Sequence, residues 1–226
     1  MAPLNSLSRL AARVGLAAFG LCFAGGVALA AEPAAMTRTQ ALQAMQQSAP
    51  ALRLAGVQRL AEVGTMLDTQ AVSERLNDAA APVRAQASAT LWQIWSRSGD
   101  PQIDVLFARG VEQMAQQSLP QALKTFTEIV QRKPEFAEAW NKRATVYFLL
   151  GENEKSLRDC AEVLRRNPMH FGALSGAGQI HLKLDQPEKA LDFLQRALDV
   201  NPNLTSLEQV LPLLQQQVRV KQRSTT

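Results

Sequence analysis

The chain has 226 residues, of which 46% are hydrophobic, 5% aromatic and 19% charged, and it carries a formal charge of +4. This is apolar enough for one core or two small ones and too apolar for a disordered chain. Two cysteines exclude a disulfide-stapled scaffold, two histidines leave little from which to build a transition-metal site, and a single tyrosine among abundant Ala, Leu, Gln, Glu and Arg favours helix over strand, so the expected class is all-α.

Residues 1–31 contain no acidic side chain. Arg9 and Arg13 precede an apolar run from Val14 to Ala31, and Ala28-Leu29-Ala30 places small residues just ahead of a cut before Ala31. A basic start, an apolar middle and an A-x-A site are the three parts of a secretory signal. Residues 1–30 are therefore expected to be a cleaved signal peptide, and the remainder to be secreted across the inner membrane into a bacterial periplasm. The alternative is retention as a membrane anchor, since the run could just span a bilayer, although its Gly and Ala content makes it weakly hydrophobic. A mitochondrial presequence would alternate around an amphipathic helix, and Leu21 ahead of Cys22 disfavours lipidation. Without Arg9 and Arg13, two of the 24 basic side chains, the remainder is nearly matched by the 20 acidic ones, which gives no basis for nucleic-acid binding.

Residues 37–100 carry a faint repeat. The stretch PALRLAGVQRLAEVG from Pro50 aligns with PVRAQASATLWQIW from Pro82 when one residue is inserted after the first proline, pairing Arg53, Leu60 and Val63 with Arg84, Leu91 and Ile94. Proline, then arginine, then an Ala-rich helix resembles the second helix of a HEAT repeat; two amphipathic helices of an ordinary bundle account for the same residues. Four helices are expected here. Asp100-Pro101 is a natural cap and start for the next helix. No Gly/Ser-rich or Pro-rich linker intervenes, so the two parts are expected to form one continuous superhelix.

The strongest internal signal lies downstream of Asp100. Pro134, Pro168 and Pro202 recur at a period of 34 residues, which divides the chain into units 103–136, 137–170 and 171–204. The eighth positions are Gly110, Ala144 and Gly178, the twentieth Ala122, Ser156 and Ala190, and the twenty-fourth Phe126, Cys160 and Leu194. Small residues at 8 and 20 let two helices of a pair approach, and bulky residues beside that crossing fill the space. The proline at position 32 ends the second helix. Ser118 before Pro120, and Asp185 before Pro187, are expected to cap second helices, with Gly151-Glu152-Asn153 as a turn.

With Trp140 and Tyr147 at the fourth and eleventh positions of the second unit, and Leu106 and Leu174 at the fourth elsewhere, the pattern resembles the tetratricopeptide repeat. Arg109, Arg143 and Ala177 depart from it where a large apolar seventh residue is usual. The resemblance implies a right-handed helical-repeat superhelix whose first helices line a concave groove, with positions 2, 5, 9, 12 and 13 facing a peptide or partner helix. Here these are Asp104, Phe107, Val111, Met114 and Ala115; Glu138, Asn141, Thr145, Phe148 and Leu149; and Gly172, Ser175, Gln179, Leu182 and Lys183. The candidate partner-binding residues are accordingly Phe107, Val111, Met114, Asn141, Thr145, Phe148, Ser175, Gln179 and Lys183; taken singly, Phe107, Met114 and Phe148 read as core residues, and as a set on one face they favour binding. Asn141→Ala with Gln179→Ala is expected to weaken binding while leaving thermal stability nearly intact. Chaperone-binding relatives grip a terminal carboxylate with Lys and Asn at positions 5 and 9 of their first repeat; Phe107 and Val111 stand there, so no such partner is expected.

Residues 205–226 place Leu207, Val210, Leu211, Leu214 and Val218 at helical spacing, as a capping helix requires, with a kink or a fresh start expected at Pro212. Catalytic signatures are lacking. His170 and His181 have no partners at metal-ligand spacing, the SGAG at 175–178 lies within a helix, and Cys160 reads as a buried structural thiol. Trp92 and Trp95 read as the core face of a helix, and the pairs Arg132-Lys133 and Arg165-Arg166 as complements to helix carboxy-termini, with an anionic-ligand site as the alternative for these basic pairs. The expected protein is an all-α scaffold or adaptor without cofactor, metal or nucleic acid, binding a protein or peptide partner, and touching a membrane only if its amino-terminal segment is retained.

Overall fold

The computed structural model describes residues 36–224, which form eleven α-helices and contain no strand. The signal-peptide expectation falls on residues outside this range. Four helices come first: α1 (Arg38–Ala44), α2 (Pro50–Val63), α3 (Thr69–Glu74) and α4 (Ala81–Trp95). Six more form antiparallel pairs: α5 (Pro101–Ala115) with α6 (Leu119–Arg132), α7 (Ala137–Leu149) with α8 (Asn153–Arg166), and α9 (Phe171–Lys183) with α10 (Pro187–Val200). The last helix, α11 (Thr205–Ser224), packs on α10.

The starts and stops have local causes. Asp100 accepts the amide of Gln102 at 2.9 Å and so opens α5, whose first residue is Pro101. Each turn inside a helix pair uses one left-handed residue at the same place in the repeat: Gln117 (φ 57°), Gly151 (φ 79°) and Asp185 (φ 54°). Asp185 is thus a turn residue and not the expected cap; Gln186 precedes α10, and Ser118 precedes α6 without a capping hydrogen bond. The small positions act as the 34-residue register requires. A Cβ on Gly110 would lie 2.7 Å from the Phe126 ring and one on Gly178 2.5 Å from Leu194, while Ser156 Oγ donates to the Ala144 carbonyl at 2.6 Å.

Arg53 and Arg84, paired by the faint upstream repeat, do equivalent work. Each guanidinium reaches back to carbonyls ahead of its own helix, Arg53 to Gln47 and Ser48, Arg84 to Asp78 and Ala79. Arg53 also grips the buried Asp78 carboxylate through two nitrogens at 2.6 and 2.7 Å.

The expected continuous superhelix is not what forms. Helix α4 does not stack on α5; it lies along the turns that join one repeat to the next. Trp92 and Trp95 pack on His170 and Phe171, Asn201 Nδ2 donates to Ser88 at 3.3 Å, and Arg84 Nε donates to Asn203 Oδ1 at 3.0 Å. Val200 and Leu204 complete this apolar contact. Both tryptophans are on the core face of their helix, Trp95 buried and Trp92 partly so, but the core they join belongs partly to the repeats.

Of the two outcomes expected at Pro212, the fresh start does not occur: α11 runs through the proline. Pro212 and Glu208 lie on the exposed side, so water can satisfy the carbonyl that the proline leaves without a donor. Leu207, Leu211, Leu214 and Val218 bury the opposite side along the whole length, whereas Val210 is exposed.

Candidate functional site

Helices α7 and α9, the first helices of adjacent repeats, run side by side and leave a hollow of about 200 Å³ between them. Its floor is apolar, from Ala144, Phe148, Cys160 and Ile180. Asn141, Thr145, Ser175 and Gln179 stand around it, and Gly172 and Gly176 hold it open. A Cβ on Gly176 would meet only the Cys160 sulfur, at 4.0 Å. Burial pushes the Cys160 thiol up to about 12, the state of an inert packing group.

Five of the nine candidate residues therefore come together: Asn141, Thr145, Phe148, Ser175 and Gln179. Lys183 stands beside them, its ammonium 4.9 Å from the centre of the Phe148 ring. The three candidates of the first unit are elsewhere. Phe107 is a core residue, packed edge-on against Phe126 and Phe136, which corrects its place as a groove anchor; the Gly110 gap that admits Phe126 also draws Phe107 inward. Met114 leans on the same core, and Val111 is exposed on α5 away from the hollow.

Of the polar side chains, Thr145 Oγ1 donates to the Asn141 carbonyl at 3.0 Å and Asn141 Nδ2 to Glu138 Oε2 at 3.1 Å. Asn141 is buried and helps hold a buried charge, so its replacement by alanine costs stability, contrary to the expectation from the repeat register. Ser175 and Gln179 are placed to offer hydroxyl and amide groups to an incoming backbone.

At the amino-terminal edge of the hollow, Gly172 packs against α4. A Cβ on Gly172 would lie 2.3 Å from the Trp92 ring, and Lys142 sits over that ring at 5.6 Å. Beneath it Glu138 is completely buried, a position that the register alone assigns to the groove surface. His170 Nδ1 accepts the Ala173 amide at 3.0 Å, which leaves the proton on Nε2; that nitrogen donates to Glu138 Oε2 at 2.8 Å. The Lys142 ammonium lies 3.0 Å from the other carboxylate oxygen. Burial alone would raise the Glu138 carboxyl, but the His170 hydrogen bond and the Lys142 charge outweigh it and hold the group below its ordinary value. This hub was visible in the sequence only as a lone histidine and an acidic second position, with nothing to pair them.

Arg143, the departure at position 7, fills its place by chemistry instead of bulk. Its guanidinium binds Asp159 bidentately at 2.7 and 2.8 Å and covers the Trp140 ring at 4.8 Å.

Comparison with known proteins supports the repeat reading of residues 107–204. A tetratricopeptide repeat model matches residues 107–162 and 153–204. A TPR repeat-containing protein of Rhizobium etli is 37% identical over 117 residues, 51% of this chain and 57% of the relative. Hsp70-Hsp90 organizing protein 1 of Glycine max is 30% identical over 105 residues, 46% of this chain and 18% of the relative. The chain thus spans little more than half of one relative and under a fifth of the other. Among solved structures, the first TPR of Spaghetti bound to an HSP90 peptide superposes with a TM-score of 0.51 at 24% identity, covering 53% of this chain and 96% of that one. The likeness is one of fold. Residues 107–204 of this chain are tetratricopeptide repeats.

Proposed function

We propose that the protein is a non-catalytic interaction scaffold that takes a short peptide segment of a partner protein between α7 and α9. The observation that carries this reading is the size and chemistry of the hollow there. At about 200 Å³ it is smaller than the ~300–1,000 Å³ sites that hold small molecules and cofactors, and it suits one anchoring side chain. The apolar floor takes that anchor, while Ser175 and Gln179 bind the backbone on either side of it. The Rhizobium relative and the repeat match support such a role, and the Spaghetti structure carries a bound peptide on a similar fold. Phe107 and Val111 at the clamp positions argue for a partner other than a chaperone tail.

The variant Gly176→Leu tests the site. A Cβ at Gly176 meets only the Cys160 sulfur, at 4.0 Å, so the leucine side chain starts without a clash and is directed to occupy the hollow. Peptides selected from a random display library on the native chain should lose about tenfold or more in affinity for the variant, equal to ~1.4 kcal/mol, while its thermal midpoint is unchanged or raised. Selected peptides that bind both proteins equally would place the interaction elsewhere.

For location, the reading is a cell-envelope protein exported by residues 1–30, with a membrane-tethered envelope subunit as the second reading. The acid-free start, Arg9 and Arg13, and the Ala28-Leu29-Ala30 site support export. The intact mass of the protein recovered from the periplasm separates the two, since retention of residues 1–30 favours the tether.

A further inference from the structure

Behind the peptide hollow, on the far side of Cys160, lies a larger one. It opens between α8, α9 and α10 and has a volume of about 500 Å³. Its origin is legible in the repeat register. At the junction of the second and third units, position 24 is Cys160 and position 7 of the next unit is Ala177, both small where the first junction has Phe126 and Arg143. Two missing large side chains leave a space that Leu157, Leu164 and Phe193 line but do not fill.

Two guanidiniums stand at the mouth, each beside a carboxylate. Arg165 and Arg196 flank it on α8 and α10, and His181 stands at its edge with its ring stacked on Phe193. His181 Nδ1 is engaged with Gln186 Oε1 at 2.8 Å. The two guanidiniums are paired with Glu162 at 3.1 Å and Asp192 at 3.4 Å; both arginines are exposed and Glu162 is also held by Arg166, so an incoming anion can exchange for these partners. An apolar cleft of this size with two forked donors at its lip matches one kind of molecule: a single carboxylate on an apolar tail.

We propose that the cleft between α8, α9 and α10 binds an unbranched monocarboxylic acid, the acyl chain against Leu157, Leu164 and Phe193 and the carboxylate between Arg165 and Arg196. Cys160 and Ala177 form the floor on which the chain rests. Cys160 also forms part of the floor of the peptide hollow, so the two ligands would share one wall.

Dodecanoate, used below its micellar concentration, is the probe, with dodecanol as its uncharged counterpart and calorimetric titration of the full chain as the readout. The native chain should bind dodecanoate saturably at one site. Ala177→Leu restores a large seventh residue and should abolish binding, with an unchanged helical circular dichroism spectrum. Arg165→Gln with Arg196→Gln changes exposed side chains only; it should weaken dodecanoate about tenfold and leave dodecanol unaffected. Absence of saturable binding by the folded native chain overturns the proposal, as does binding that survives Ala177→Leu. Equal loss of dodecanoate and dodecanol in the double variant overturns the carboxylate assignment. Saturation by an acidic peptide at the same residues, without dodecanoate, would make the cleft a protein-docking surface instead.

Discussion

Replacing His170 by alanine removes four interactions at once. The Nε2 donor 2.8 Å from Glu138 is lost, the acceptor 3.0 Å from the Ala173 amide is lost, and so are the stack on Trp95 at 4.5 Å and the edge contact with Trp92 at 5.3 Å. A hydrogen bond to a charged group contributes about 1.5–3 kcal/mol, a helix cap about 0.5–2 and an aromatic pair about 0.5–1.5. Glu138 remains fully buried with one partner fewer, so the expected loss is ~3–5 kcal/mol, the range for breaking a buried pair. Urea unfolding followed by far-ultraviolet circular dichroism gives the total, and tryptophan fluorescence reports the contact itself because Trp92 and Trp95 surround the ring. His170→Phe keeps an aromatic ring and loses both hydrogen bonds, so it should recover only the stacking part. In a background of Glu138→Ala the His170→Ala loss should shrink by at least ~1 kcal/mol, since the carboxylate that needed the donor is gone. A loss below about 1 kcal/mol, or losses that add without coupling, would refute the claim that this hub holds α4 to the repeats.

Acid should release the same hub. Glu138, Asp68 and Asp78 are all held below their ordinary values, so their contribution is fully present above about pH 4.5 and is lost as pH falls through the folded-state values. Glu138→Gln should flatten part of that decline in a pH series of urea midpoints; an unchanged slope below pH 4.5 would assign the acid sensitivity to the Arg38–Asp68 and Arg53–Asp78 pairs. Pro212→Ala should stabilise the chain by up to ~3 kcal/mol, because α11 already accepts helical geometry there and regains a backbone donor. A fall in thermal midpoint for that variant would mean that Pro212 sets the docking of α11.

The helices and the register of the groove were readable because a 34-residue period states which positions must be small, which large, and which face outward. Asn141, Thr145, Phe148, Ser175 and Gln179 line one hollow because positions 5, 9 and 12 of adjacent first helices fall on one face. The period is silent where a position is occupied by an exception. Phe107 stands at a groove position, yet Gly110 one turn on opens the interior to it and to Phe126. Position 15 carries Gln117, Gly151 and Asp185, and only the glycine announces the left-handed turn that all three adopt.

The placement of α4 was illegible for a different reason. A repeat buries its faces against the next repeat, so its partner is implied by its own sequence. A helix outside the repeat has no such partner written into it: Trp92 and Trp95 declare an apolar face, and the surface that receives them is assembled from His170, Phe171, Val200 and Leu204, which come from two separate turns. Those residues matter to the groove as well. Because α4 packs on Gly172 and on His170, the partner of Glu138, the same contact that docks the upstream helices reaches the edge of the peptide hollow. Loosening the hub by His170→Ala or by acid should therefore change the affinity of a peptide that never touches His170, and Gly172→Ala, which drives a methyl group into Trp92, should do so at neutral pH.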